Sequence, residues 1–122
     1  MDGSHAILSM DGQRLAYRFE RRDALRWSGI QVWDPLHQRQ LAEWEGSVEE
    51  LGSPLAFSPD GRLLATTDDS GTVFLLDAET GEVLHQWKAH LDSVLNLAFS
   101  IEGKLLATVG TDGFLRMWGV YP

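Results

Sequence analysis

The chain has 122 residues, 43% of them hydrophobic and 23% charged, with a formal net charge of −8 and no cysteine. That composition is globular, excludes disulfides and thiol chemistry, and opposes non-specific attraction to nucleic acid or anionic lipid. No apolar run approaches the roughly 18–20 residues of a membrane span, and Met1-Asp2-Gly3-Ser4-His5 lacks the basic-then-apolar order of an export signal, so a soluble cytoplasmic protein with neither nucleic-acid nor membrane partners is expected.

Strand-like runs alternate with turn signals along the whole length. A first strand is expected over residues 6–9, leading into the turn Ser9-Met10-Asp11-Gly12, and a later strand-like segment ends at Trp33-Asp34. The turn block recurs as Ser58-Pro59-Asp60-Gly61 and Ser100-Ile101-Glu102-Gly103, its glycines 49 and then 42 residues apart. After the second block, residues 63–66 and 72–76 read as β-branched and apolar strands around the turn Asp68-Asp69-Ser70-Gly71. A further turn, Asp77-Ala78-Glu79-Thr80-Gly81, precedes Val83-Leu84-His85-Gln86-Trp87, which alternates apolar and polar as a half-exposed outer strand does. The last strand is expected over residues 114–118, followed by Gly119-Val120-Tyr121-Pro122. No window of 11 or more residues sustains a 3.6-residue apolar period free of turn signals, so the chain is expected to be all-β. A period near 42 matches a four-stranded propeller blade.

These residues resemble the WD-repeat β-propeller family, whose blades carry Gly-His before the first strand, a Phe-Ser-Pro-Asp-Gly turn and a Trp-Asp pair closing the third strand. The likeness is strongest over residues 55–119, where Leu55-Ala-Phe-Ser-Pro-Asp-Gly-Arg-Leu-Leu-Ala-Thr66 aligns without a gap with Leu97-Ala-Phe-Ser-Ile-Glu-Gly-Lys-Leu-Leu-Ala-Thr108. Residues 6–34 match more loosely. The resemblance implies a partial propeller of three antiparallel blades with strands A to D: blade one over 1–46, blade two over 47–88 and blade three over 89–122. Blade three is expected to lack strand D. In the family that strand is commonly donated by the N-terminus, but only residues 1–5 precede the first expected strand here. If each open blade face leaves on the order of 500 Å² of apolar surface in water, the loss is on the order of 10 kcal/mol, which rivals the stability of a whole domain. Partner blades are therefore expected, from a longer parent chain or from a second copy.

The family's pattern places His90 in the loop entering strand A, Thr108 in strand B, Asp112 in the B–C turn and Trp118 in strand C of blade three. Asp can accept from one imidazole nitrogen, the other can accept the Thr hydroxyl, and the Thr oxygen can accept the indole N–H. A hydroxyl, an imidazole and a carboxylate also form a nucleophilic triad on paper, but the indole would occupy the Thr oxygen, so a structural tetrad is expected and no catalytic residue. Blade two carries Val48, Thr66, Ser70 and Leu76 at those places, and blade one keeps Trp33-Asp34 with Tyr17 in place of the hydroxyl. His5, His37, His85 and His90 show no close pairing, so neither metal nor cofactor is expected. Thr67-Asp68-Asp69-Ser70-Gly71 loosely resembles the aspartate box of sialidase-type propellers, but its turn chemistry accounts for it.

Blade one departs in length, with 21 residues from turn glycine to strand-C Trp against 15 in blade three. The six extra residues fall in its B–C hairpin, where Arg18, Arg21, Arg22 and Arg26 stand beside Trp27. Arg and Trp are enriched at binding hot spots, so this hairpin is the candidate contact for an acidic protein or peptide partner, against the plainer reading of a solvated loop. The acidic stretch around Glu43, Glu45, Glu49 and Glu50 reads as a solvated rim. The expected function is a non-catalytic protein–protein interaction scaffold forming the C-terminal blades of a larger propeller. The alternatives are a self-assembling half-propeller of purely structural role and an accessory propeller of a larger signalling enzyme.

Overall fold

The computed structural model describes residues 5–21, 27–47, 55–68 and 70–120. Its described residues form eleven strands and no helix: β1 (His5–Leu8), β2 (Leu15–Arg21), β3 (Trp27–Asp34), β4 (Arg39–Ser47), β5 (Leu55–Phe57), β6 (Leu63–Thr67), β7 (Thr72–Asp77), β8 (Val83–Lys88), β9 (Val94–Phe99), β10 (Leu105–Gly110) and β11 (Leu115–Gly119). They pair in sequence order into three antiparallel sheets, β1-β2-β3-β4, β5-β6-β7-β8 and β9-β10-β11. Each sheet is one propeller blade, and the expectation of an all-β partial propeller is met.

The recurring turn explains the repetition. Gly12, Gly61 and Gly103 sit at φ of 74°, 75° and 77°, a left-handed region that other residues enter at a cost. In the first copy the Ser9 hydroxyl donates to Asp11 at 2.7 Å and accepts the Arg14 N–H at 3.0 Å. The second copy repeats this with Ser58, Asp60 and Leu63 at 2.6 and 3.0 Å. These bonds all lie within five residues, so the turn geometry of both copies is set by local chemistry.

Packing happens between sheets. One apolar cluster joins blade one to blade two through Ala16, Ile30, Val32, Leu55, Leu64 and Leu76. A second joins blade two to blade three through Ala65, Val73, Leu75, Val94, Leu97 and Leu106. The middle blade therefore buries both faces. That is why β6 reads Leu-Leu-Ala-Thr-Thr with no charged position. Each fully buried leucine of these seams contributes about 2 kcal/mol.

The blade-one hairpin differs from its expected form. The β2–β3 ladder runs unbroken from Leu15↔Trp33 to Arg21↔Trp27, so most of the inserted length lengthens the two strands. Arg18 is not on a projecting loop; it lies mid-strand opposite Ile30 and is only 8% exposed, on the side packed toward blade two. Arg21 and Trp27 close the ladder, while Arg22 and Arg26 lie outside the described residues.

Candidate functional site

In blade three, four segments converge on one threonine. His90 precedes β9, Thr108 is in β10, Asp112 is in the turn after it and Trp118 is in β11. His90 Nδ1 lies 3.0 and 3.1 Å from the two Asp112 oxygens, and His90 Nε2 lies 2.8 Å from Thr108 Oγ1. The Trp118 indole donates to the same Oγ1 at 3.0 Å. With Nδ1 carrying the proton toward Asp112, Nε2 accepts the Thr108 hydroxyl, and every group is satisfied. Thr108 is wholly buried, its hydroxyl donating to the imidazole and its oxygen accepting the indole N–H. The arrangement ties the loop before β9 to β10 and β11 through one oxygen.

Backbone holds the brace in turn. Asp112 also accepts the N–H groups of Leu91 and Phe114, both at 3.1 Å. Burial pushes its carboxyl up, but those two N–H bonds and His90 outweigh it and hold the pKa below the ordinary carboxylate value. Gly110 makes room: a Cβ there would land on the His90 ring and close to Asp112. Gly71, at φ 97°, fastens blade two to the loop entering blade three, since its carbonyl accepts the N–H of Ala89 at 2.8 Å and of His90 at 3.2 Å.

Blade one uses a different acceptor that its sequence did not announce. The Tyr17 hydroxyl and the Trp33 indole both donate to Gln31 Oε1, at 2.8 and 2.9 Å, and Gln31 Nε2 donates to Glu43 at 3.1 Å. Gln31 lies directly across from Tyr17 and two residues before Trp33, so register would have found it once the hairpin pairing was known. In blade two, Thr66 and Leu76 are buried in the seams, Ser70 turns back onto Asp68 at 2.9 Å, and Val48 lies outside the described residues.

The outer face of blade three exposes apolar side chains. Leu105, Val109, Leu115 and Met117 are 41%, 38%, 65% and 56% exposed. Val109↔Leu115 and Ala107↔Met117 are cross-strand pairs there. Their counterparts in blade two, Thr67↔Val73 and Ala65↔Leu75, are buried beneath blade three. A surface made to the same pattern is thus covered once and open once.

Comparison with known proteins agrees with this architecture. The family model for the anaphase-promoting complex subunit 4 WD40 domain matches residues 6–96, and that for the WD domain, G-beta repeat, matches residues 81–119. The chain is 30% identical to meiotic recombination protein rec14 of Schizosaccharomyces pombe, over 94% of this chain and 36% of the relative. It is 33% identical to apoptotic protease-activating factor 1 of Homo sapiens, over 93% of this chain and 9% of the relative. Among solved structures, the RRP9 WD40 repeats superpose with a TM-score of 0.77 at 22% identity, covering 94% of this chain and 34% of that one. The mitotic checkpoint complex contains a similar chain with a TM-score of 0.73 at 20% identity, covering 96% of this chain and 35% of its own length. The chain spans about a third or less of the length of these relatives.

Proposed function

We propose, from the premise that the chain belongs to the WD-repeat β-propeller family, that its three blades are part of a larger propeller that binds a protein partner and carries out no catalysis itself. WD40 domains are general protein-interaction scaffolds, and the buried, fully bonded Thr108 fits that role better than it fits a nucleophile. The observation that carries the larger-propeller reading is the outer face of blade three, whose apolar pattern repeats the one blade two buries against its neighbour. Further blades from a parent chain would cover it. A second copy is the other source: blade one carries Leu15, Tyr17 and Trp33 at the positions where blade three uses Leu106, Thr108 and Trp118 to cover blade two.

For the partner we propose an acidic peptide segment meeting the end of the blade-one hairpin. Arg21, Arg22, Arg26 and Trp27 supply charge-assisted hydrogen bonds and stacking there, while Arg18, committed to the blade seam, is withdrawn from the contact set. The test measures affinity for an acidic partner peptide at low and high salt, in wild type and in Arg22→Glu/Arg26→Glu. Salt-sensitive binding that drops in the double variant supports the assignment. Equal affinity across all four conditions returns the hairpin to a solvated loop.

A further inference from the structure

The three recurring turns lie side by side at one end of the molecule. Strands β1, β5 and β9 are neighbours, and each runs into its turn at that end. A Cβ on Gly61 would stand 3.5 Å from Ser9 Cβ, and one on Gly103 would stand 3.4 Å from Pro59 Cδ, so each turn packs on the one before it. The turn between β7 and β8 emerges at the same end, because an antiparallel sheet returns every second connection there. Its Glu79 meets Arg14 of blade one at 3.3 Å.

Each turn repeats three kinds of side chain in a fixed order. After the serine comes an apolar residue, Met10, Pro59 or Ile101; next a carboxylate, Asp11, Asp60 or Glu102; and after the glycine a base, Arg14, Arg62 or Lys104. Met10 and Ile101 are 77% and 83% exposed, and Pro59 is half-buried. Met10 stays that open although blade two packs on its turn, and Pro59 has a blade on either side. The exposure of the row thus belongs to the turns and not to the faces or edges of the sheets. Pro59 suits its turn position, whereas turn chemistry gives no local reason for Met10 or Ile101.

Beside this row, between the first two turns, lies a notch of about 120 Å³ lined by Asp11, Asp60, Glu79, Arg14 and Arg62. It is smaller than the roughly 300–1,000 Å³ of small-molecule pockets, so it suits the end of one long side chain. Asp11 Oδ1 accepts the Ser9 hydroxyl at 2.7 Å and the Gln13 N–H at 3.0 Å, and Asp60 Oδ1 accepts the Ser58 hydroxyl at 2.6 Å and the Arg62 N–H at 3.0 Å. Both bonds of each turn fall on the one oxygen, and Oδ2 of each carboxylate accepts no bond among the described residues. The Gln13 N–H and Ser9 hydroxyl hold the Asp11 carboxyl below the ordinary carboxylate range, and the Ser58 hydroxyl and Arg62 N–H do the same for Asp60, so both are anions at neutral pH. Arg14 is already taken by Glu79 and the Gln13 carbonyl. Three carboxylates against two guanidinium groups leave the notch at a formal charge of −1, on a chain of −8.

We propose that this end of the molecule docks a basic, apolar segment of a partner protein, which lays its apolar residues along Met10, Pro59 and Ile101 and places one Lys or Arg side chain in the notch between Asp11 and Asp60. An ammonium or guanidinium only donates and a carboxylate Oδ2 only accepts, so the pairing is complementary in hydrogen bonds as well as in charge. The apolar row supplies contact area, and the sign of the notch selects the partner. This deepens the scaffold reading and rests on it, at the end of blade one opposite the β2–β3 hairpin tip.

The probe is a labelled synthetic peptide of leucine and lysine, titrated against the full chain by fluorescence anisotropy at a concentration where sedimentation shows one species. Saturable binding that weakens as salt rises is expected. Affinity should fall at least tenfold when the lysines of the peptide are acetylated, and likewise when the chain carries Met10→Lys/Ile101→Lys, two exposed positions whose change should leave the melting transition in place. It should be unchanged in Leu115→Glu/Met117→Lys, which alters the apolar patch on the outer face of blade three. Absent binding, equal affinity for the acetylated peptide or in Met10→Lys/Ile101→Lys, or a loss in the blade-three variant overturns the proposal. The acidic-peptide assay at the hairpin runs in parallel: if it survives while the lysine peptide is silent, only the turn-end assignment fails, and if both peptides are silent the scaffold reading fails with it.

Discussion

Thr108 joins two strands and a loop through a single oxygen, so its removal should be felt beyond its size. Thr108→Val keeps the shape but leaves His90 Nε2 and the Trp118 indole without their partner, an expected loss of about 1–3 kcal/mol by urea unfolding. Hydrolytic activity lost at unchanged stability would contradict the bracing role. Two backbone positions give opposite signs. Gly71→Ala would place a methyl on the carbonyl oxygens of His90 and Asp92 at a left-handed φ, which should cost about 3 kcal/mol or more. Gln38 holds φ 53° at the turn position where blade two has Gly81 at φ 78°, so Gln38→Gly should stabilise by a few tenths to about 1 kcal/mol. Acid sensitivity follows from the turn carboxylates. Bonds from His37 hold Asp34 below the ordinary carboxylate value, and bonds from Ser58 and Arg62 do so for Asp60. Because the folded values are depressed, their stabilisation is present above about pH 3.8 and is lost as pH falls below it through the folded values. Urea midpoints for wild type and Asp34→Asn should therefore diverge at pH 5 and draw together as pH falls through the folded value; a gap that stays constant on acidification would remove the linkage.

Elements declared themselves in the sequence where local chemistry dictates structure. The Ser-x-Asp-Gly turns, the Asp-led returns and the doubly buried run of β6 each follow from residues within a few positions, and the strands fall where those signals put them. The blade-one hairpin did not, because a ladder can continue through arginines when every second side chain has a seam to enter. Arg18 faces blade two opposite Ile30, a fact set by cross-strand register and invisible to a count of basic residues. Gln31 was hidden for the same reason, since its role as acceptor for Tyr17 and Trp33 exists only once β2 and β3 are paired. His90, Thr108, Asp112 and Trp118 were named together only through the WD-repeat resemblance, and they stand within hydrogen-bond distance of one another in the fold. Arg18 also yields a test that separates the two readings of the hairpin. Arg18→Glu buries an opposite charge in the seam and should lower the melting temperature, whereas Arg22→Glu should leave stability unchanged and act only on partner affinity. A hairpin in which Arg18→Glu left the melting temperature unchanged would not be packed as described.

At the scale of the molecule, cohesion is unevenly distributed. Blade two is sealed on both faces, whereas blade three spends one face on the seam and presents Leu105, Val109, Leu115 and Met117 on the other. Four large apolar side chains clustered on a pleated face form a patch of the kind that soluble monomers rarely leave uncovered. Covering them is favoured by on the order of 1 kcal/mol each even at partial burial, enough in sum for micromolar association once orientation costs are met. The 122-residue chain is therefore expected to associate at micromolar concentration, with a melting temperature that rises with protein concentration because association stabilises the folded state by mass action. Charge placed on the patch should reverse this. Leu115→Glu with Met117→Lys puts opposite charges two residues apart on the open face, leaves net charge unchanged and touches neither apolar cluster, so the double variant should sediment as a smaller species with a concentration-independent transition. Sedimentation velocity on both proteins over a hundredfold concentration range decides the matter. A wild-type chain that remains a compact monomer throughout, melting at one temperature, would mean that the outer face of blade three is stable in water and that its likeness to the buried face of blade two carries no requirement for a neighbour.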